Sequence, residues 1–290
     1  MKKQSWPADL FLLITAVIWG GSFIVVKEAL NLIQPLQVIA YRFTMAFILL
    51  FILYYKQVLR NWKDHLIPGV YLGSILGLAF IAQTYGLIYS TPSTSAFITG
   101  LNVVMVAILQ AVFDRKPLPF SSTLGVVGAT IGLSILTWKG RLELNLGDLL
   151  TLCCAVLFAL HIVATGKIVS NHRAEPLTVY QFGTVSIMAW IFLPFGPQLY
   201  SQGMIIPLKA WLALIYLGIL ATGIAFLFQT LAQRRTTPVH TAIILSAEPA
   251  FAALFTVLLG YEDLTSQLTL GGFFILTGMI LTSKQATLTG

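Results

Sequence analysis

The amino-acid sequence predicts an all-α membrane protein of ten transmembrane helices, built from two inverted five-helix repeats. Three observations predict it. Hydrophobic residues fill 57% of 290 positions, charged residues only 9%, and the mean hydropathy is +0.87, which no water-facing surface accommodates. The charges recur between apolar blocks long enough to cross a bilayer. The second half of the chain repeats the pattern of the first.

Ten apolar stretches bounded by charge, Pro or Gly can each span a core about 30 Å thick. The first runs from Asp9 to Lys27. It follows Lys2 and Lys3 as a signal peptide would, but it carries Trp19 and lacks a small-residue cleavage pattern, so it reads as a retained helix. Next come Leu36 to Tyr55, Leu66 to Tyr89, Ser93 to Phe113 and Leu118 to Trp138. The second set is Leu146 to Gly166, Leu177 to Phe195, Trp211 to Ala232, Val239 to Tyr261 and Leu268 to Thr282. These runs are continuously apolar, whereas strands of a membrane barrel alternate over shorter segments, so helices are expected.

Charge sets the expected orientation and excludes other classes. With the N-terminus in the cytoplasm, twelve of the seventeen Lys and Arg fall on that side and four on the other, with Arg42 inside a span. Both termini are therefore expected in the cytoplasm, in a multi-pass inner-membrane protein. The net charge of +7 is scattered one to three residues per loop and forms no stripe, so nucleic acid is not an expected partner. Cys153 and Cys154 are adjacent in an apolar run and imply no disulfide framework.

The internal repeat has a fixed offset over much of its length. At 146 residues, Gln83-Thr84 matches Gln229-Thr230, Thr91-Pro92 matches Thr237-Pro238, and Leu124-Gly125 matches Leu270-Gly271. Slightly smaller offsets relate Tyr71-Leu72-Gly73 to Tyr216-Leu217-Gly218 and Ala16-Val17 to Ala155-Val156. Residues 1–140 and 141–290 thus form two halves of five helices. Five is odd, so the second half enters from the opposite side, an organisation common among secondary transporters.

Several segments carry a resemblance to a known family. The first helix reads Ile18-Trp19-Gly20-Gly21-Ser22-Phe23 with Lys27 beyond, the second Tyr41-Arg42-Phe43, and the fourth Ser95-Ala96-Phe97-Ile98-Thr99-Gly100-Leu101. The ninth reads Ala247-Glu248-Pro249-Ala250-Phe251-Ala252-Ala253-Leu254, with Gly260 and Glu262 after it. In this order the set resembles the ten-helix, EamA-like branch of the drug/metabolite transporter superfamily. Ala107 and Asp114-Arg115-Lys116 depart from that pattern, which bears on subfamily and substrate rather than fold. The resemblance implies export of amino acids, related metabolites or drugs by alternating access. No GxxxxGK[ST] phosphate loop is present, and neither cofactor nor metal is expected.

Polar residues at bilayer depth mark candidate sites because they are costly there. Glu248 lies ten residues past Pro238, and Asn102 ten past Pro92, which at about 1.5 Å per residue places both near the midplane. Pro249 removes a helical donor beside the acid, so Glu248 either lines a pocket or holds a bend together. His161 pairs with Ser22 at an offset of 139, and Phe158 with Trp19, setting aromatic and polar groups across the pseudo-axis. Trp19, Ser22, Asn102, Phe158, His161 and Glu248 are the candidate substrate contacts, with Glu248 and His161 the candidate coupling groups. Arg42 reads as a snorkelling or structurally paired residue with a gate or supporting role. Gln83, Tyr85 and Gln229 are gate candidates near opposite mouths, or interhelical hydrogen bonds. His240 reads as an interfacial residue beside Arg234 and Arg235.

An enzyme is not expected, since HExxH, GxSxG and paired buried aspartates are absent, and neither is a TVGYG-type channel. The expected function is a secondary transporter of small metabolites, with the lipid bilayer and a small solute as partners and a homodimer left open. The alternatives are a nucleotide-sugar or phosphometabolite exchanger and a non-transporting receptor.

Overall fold

The computed structural model describes residues 6–60, 62–90, 92–137, 145–196 and 206–259, with 266, 269–271, 273–274 and 277 beyond them. Every regular element among these residues is helical. The first half supplies α1 (Trp6–Leu30), α2 (Pro35–Arg60), α3 (Trp62–Tyr89), α4 (Pro92–Gly100), α5 (Asn102–Asp114) and α6 (Phe120–Thr137). The second supplies α7 (Leu146–Ile168), α8 (Ala174–Phe192), α9 (Leu208–Ile215), α10 (Ala225–Gln233), α11 (Pro238–Leu245) and α12 (Glu248–Leu258). A π-helical segment, Tyr216–Ile224, joins α9 to α10.

Seven helical stretches are long and apolar enough to cross a membrane: Trp6–Leu30, Pro35–Arg60, Trp62–Tyr89, Leu146–Ile168, Ala174–Phe195, Leu208–Gln233 and Pro238–Phe255. They coincide with seven of the ten expected spans. The fourth and fifth expected spans appear as shorter apolar helices, Ile98–Asp114 and Phe120–Gly132. The tenth, Leu268 to Thr282, falls mostly outside the described residues.

Local sequence sets the helix ends. Asn145 caps α7 through a reciprocal capping box, its side chain accepting from Asp148 N while the Asp148 carboxylate accepts from Asn145 N. Thr237 caps α11 by accepting from His240 N at 3.2 Å, with Pro238 in the first turn where its missing donor costs nothing. Arg115 closes α5 in the left-handed conformation with φ of 50°.

Two of the expected spans are broken. The chain passes from α4 to α5 through Leu101 (φ −61°, ψ −10°) and from α11 to α12 through Ser246 and Ala247, the latter at φ −73° and ψ −14°. At both points the hydrogen bonds tighten to the i−3 carbonyl: Leu101 N to Ile98 O at 3.2 Å, and Ala247 N to Ile244 O at 3.1 Å. Leu101 and Ala247 are 146 residues apart.

Packing is reciprocal between the halves. α3 lies along α7 and α8, while α1 lies along α10 and α12, and α2 along α8 and the π segment. Glycines set the closest approaches. A Cβ on Gly73 would stand 2.7 Å from Gln181 O and Thr184 Cβ of α8, and one on Gly218 would stand 2.9 Å from Met45 Cβ of α2. Large apolar side chains such as Ile52, Ile67, Phe120 and Ile187 stay exposed on the outer faces, as a lipid-facing surface requires.

Candidate functional site

A central cavity lies where the two broken helices meet α1, α3 and α7. Asn102 is the first residue of α5 and Glu248 the first of α12, so two half-helix N-termini border one space, an arrangement that favours polar and anionic groups there. Trp19 and Ser22 come from α1, Phe158 and His161 from α7, and all four line the same cavity. So do Arg42 of α2, Gln83 of α3 and Gln229 of α10. Of the ten candidate residues, only Tyr85 stands away from it; its hydroxyl would be 3.1 Å from a Cβ on Gly196, near the end of α8.

The cavity is narrow, with about 40 Å³ open to the centre of a water-sized sphere. That holds about three waters at ~10–15 Å³ each, so a larger solute requires the walls to part. One wall is aromatic: Trp19 packs on Phe226 with centroids 4.7 Å apart, Phe80 packs on Phe158 at 5.5 Å, and Phe80 meets Phe226 at 5.8 Å. Sequence reading missed Phe80 and Phe226, although they too are 146 residues apart and three before Gln83 and Gln229. It also missed Phe23, Thr84 and Thr99.

The polar groups are positioned by specific bonds. Arg42 is buried at 3% exposure, which rules out snorkelling. Its Nε donates to Thr222 Oγ1 at 2.8 Å, and its guanidinium carbon lies 4.7 Å from the Phe80 ring centre. No bond to its Nη nitrogens is made among the described residues. Thr222 belongs to the π segment, as does Ala221, whose carbonyl oxygen accepts from the Trp19 indole at 2.8 Å.

His161 is 1% exposed and bonds Gln181 Oε1 through Nε2 at 2.7 Å. The Gln181 amide nitrogen donates to Leu177 O at 3.4 Å, so Nε2 of His161 is the donor and Nδ1 has no partner among the described residues. Gln181 was not legible as a site residue, since it contacts the cavity only through His161. Gln229 Oε1 is likewise buried and unmet, its amide nitrogen reaching Gln233 Oε1 at 3.5 Å. Gln83 bonds Thr99 Oγ1 at 3.4 Å across helices. Gln83 of α3 and Gln229 of α10 border one cavity rather than opposite mouths. Glu248 has no hydrogen-bond or ionic partner among the described residues.

His240 corrects the interfacial reading. It is 4% exposed and its Nε2 lies 2.9 Å from Asp9 Oδ1, tying α11 to the first turn of α1. The described residues hold no cluster of three or more His, Cys, Asp or Glu fit for a metal ion.

Comparison with known proteins follows the same outline. The sequence model of the EamA-like transporter family matches residues 6–138 and again 145–284. An uncharacterized transporter of Archaeoglobus fulgidus is 32% identical over 283 residues, covering 95% of this chain and 85% of its own length. The uncharacterized transporter YyaM of Bacillus subtilis is 22% identical over 286 residues, covering 94% of this chain and 92% of its own length. One solved crystal structure superposes with a TM-score of 0.78 at 18% identity, over 97% of this chain and 98% of the other, a likeness of fold alone.

Proposed function

Because the chain belongs to the EamA-like transporter family and is a multi-pass membrane protein, we propose that it is a secondary transporter of small amino compounds, amino acids foremost. It works by alternating access around the central cavity, between two inverted five-helix halves. The match of the family model to each half in turn, the two breaks 146 residues apart and the reciprocal packing support that reading.

The observation that carries the substrate class is one unpaired carboxylate and one incompletely paired guanidinium in a single aromatic-walled cavity. A solute ammonium meets Glu248, with His161 Nδ1 and Gln229 Oε1 as further acceptors. A solute carboxylate meets the Nη groups of Arg42. Trp19, Phe80, Phe158 and Phe226 take the organic part. Glu248 alternates between solute and proton, His161 tunes that exchange, and the transport direction is outward from a cytoplasm that holds both termini. A phosphometabolite exchanger fits less well, since Arg42 is the one cation lining the cavity among the described residues.

A thermal-shift screen of the purified protein against amino acids, polyamines, aromatic amines and nucleotides tests the class, because a ligand of the native state raises its melting temperature. Amino acids are expected to stabilise it; stabilisation by nucleotides alone would replace this reading with the exchanger. Binding without counterflow in liposomes would replace it with a receptor.

A further inference from the structure

Each half carries the same three polar groups at its helix ends, and the two sets are in different states. An Asp stands in the first turn and a Lys in the last turn of the leading helix: Asp9 and Lys27 in α1, Asp148 and Lys167 in α7. A hydroxyl residue follows the third span, Ser90 after α3 and Thr236 after α10, 146 residues apart.

At the Lys27 end the set is engaged. Lys27 Nζ donates to Leu87 O at 2.6 Å, Ser90 O at 3.0 Å and Ile88 O at 3.4 Å, carbonyls that a helix C-terminus otherwise leaves unmet. Ser90 Oγ donates to Asp148 Oδ1 at 3.1 Å, and the Asn145 capping box holds that carboxylate in place. Three helices are thereby tied together over the end of the cavity bordered by Val26 and Leu87.

At the Lys167 end the equivalent set is apart. Lys167 turns away to Asp114, 3.4 Å distant, and lies 4.7 Å over the Phe113 ring. Thr236 Oγ1 is fully buried and has no partner among the described residues. Asp9 bonds His240 instead. Around Lys167 and Thr236 lies a second cavity of about 150 Å³, bordered also by Gln110 and Pro238. A buried hydroxyl left unsatisfied costs free energy, so Thr236 gains from any arrangement that brings an acceptor to it.

We propose that the two sets are alternately closing gates. Lys27, Ser90 and Asp148 seal one end in this conformation. In the opposite one they release, while Lys167 takes the last carbonyls of α10 and Thr236 takes Asp9. This rests on the alternating-access reading above and adds the residues that set its balance.

The test uses a variant with Cys153 and Cys154 replaced and Ser22→Cys in the cavity as reporter, labelled with a membrane-impermeant maleimide from each side of oriented vesicles. Lys27→Met is expected to raise labelling from the Lys27 end by about fivefold or more, and Lys167→Met to lower it by a similar factor, the range of ordinary coupling between sites. Ser90→Ala, a smaller change, should act in the direction of Lys27→Met if that variant fails to fold. A general loosening of the helices would raise labelling in both Lys variants, and that result overturns the proposal. Labelling from both ends that ignores Lys27, Ser90 and Lys167 sinks the gates but leaves alternating access intact. Labelling from one end only, in the parent and every variant, sinks alternating access itself.

Discussion

The break between α4 and α5 and the break between α11 and α12 share their backbone shape, yet Asn102 follows the first and Glu248 the second. The same contrast holds one residue on, where Val103 stands opposite Pro249. A proline and an acid are therefore not what the bend needs, since the first half bends without either. If Glu248 were the clasp of a kink it would be bonded to a neighbouring helix, and no such bond exists among the described residues. The difference points to a charge placed for a solute on a frame that both halves build.

Changes to that shared frame should have the largest effect. Gly73→Leu drives a side chain into Gln181 O and Thr184 of α8, and Gly218→Leu does the same to Met45 of α2. Each should cost roughly 3 kcal/mol or more, read as loss of monodisperse protein in detergent; folded protein from either would break the claim that the halves close on equivalent glycines. Arg42→Met keeps the stem but removes the guanidinium from Thr222 and Phe80. Amino-acid counterflow should fall about 100-fold, in line with ~2–3 kcal/mol for a lost charged hydrogen bond, with decarboxylated amines affected far less.

Smaller effects separate the aromatic mates. Trp19→Phe removes the indole bond to Ala221 O in the π segment, worth about 1 kcal/mol, and should weaken solute binding roughly fivefold. Phe158→Leu loses no hydrogen bond, so thermal titration should show a smaller change. Pro249→Ala should be the mildest, within about 1 kcal/mol by thermal melting and with counterflow near that of the parent protein. A large loss would mean that the second break depends on its proline after all.

Seven of the ten expected spans were legible because bilayer length is a linear property of a sequence, and a fixed offset such as 146 residues is read the same way. Nine of the ten candidate residues share the cavity because depth follows from helical rise, as counting from Pro92 and Pro238 to Asn102 and Glu248 illustrates. What was not legible depends on azimuth and on local winding. Nothing in Tyr216–Ile224 announces a π segment, so the reading of Arg42 stays divided between snorkelling and a structural pair until the bond to Thr222 shows the pair. Phe80 and Phe226 were hidden among Phe residues that only packing sorts, and the Asp9 to His240 bond joins residues 231 apart.

The central claim is that Glu248 receives the ammonium of the transported solute. Counterflow in proteoliposomes of an amino acid against its N-acetyl derivative, for the parent protein and Glu248→Gln at pH 5 to 8, tests it most directly. The parent should prefer the free amine by about 100-fold or more, and Glu248→Gln should lose both that preference and most of the flux. Full transport by Glu248→Gln, with the preference intact across that pH range, would contradict the account.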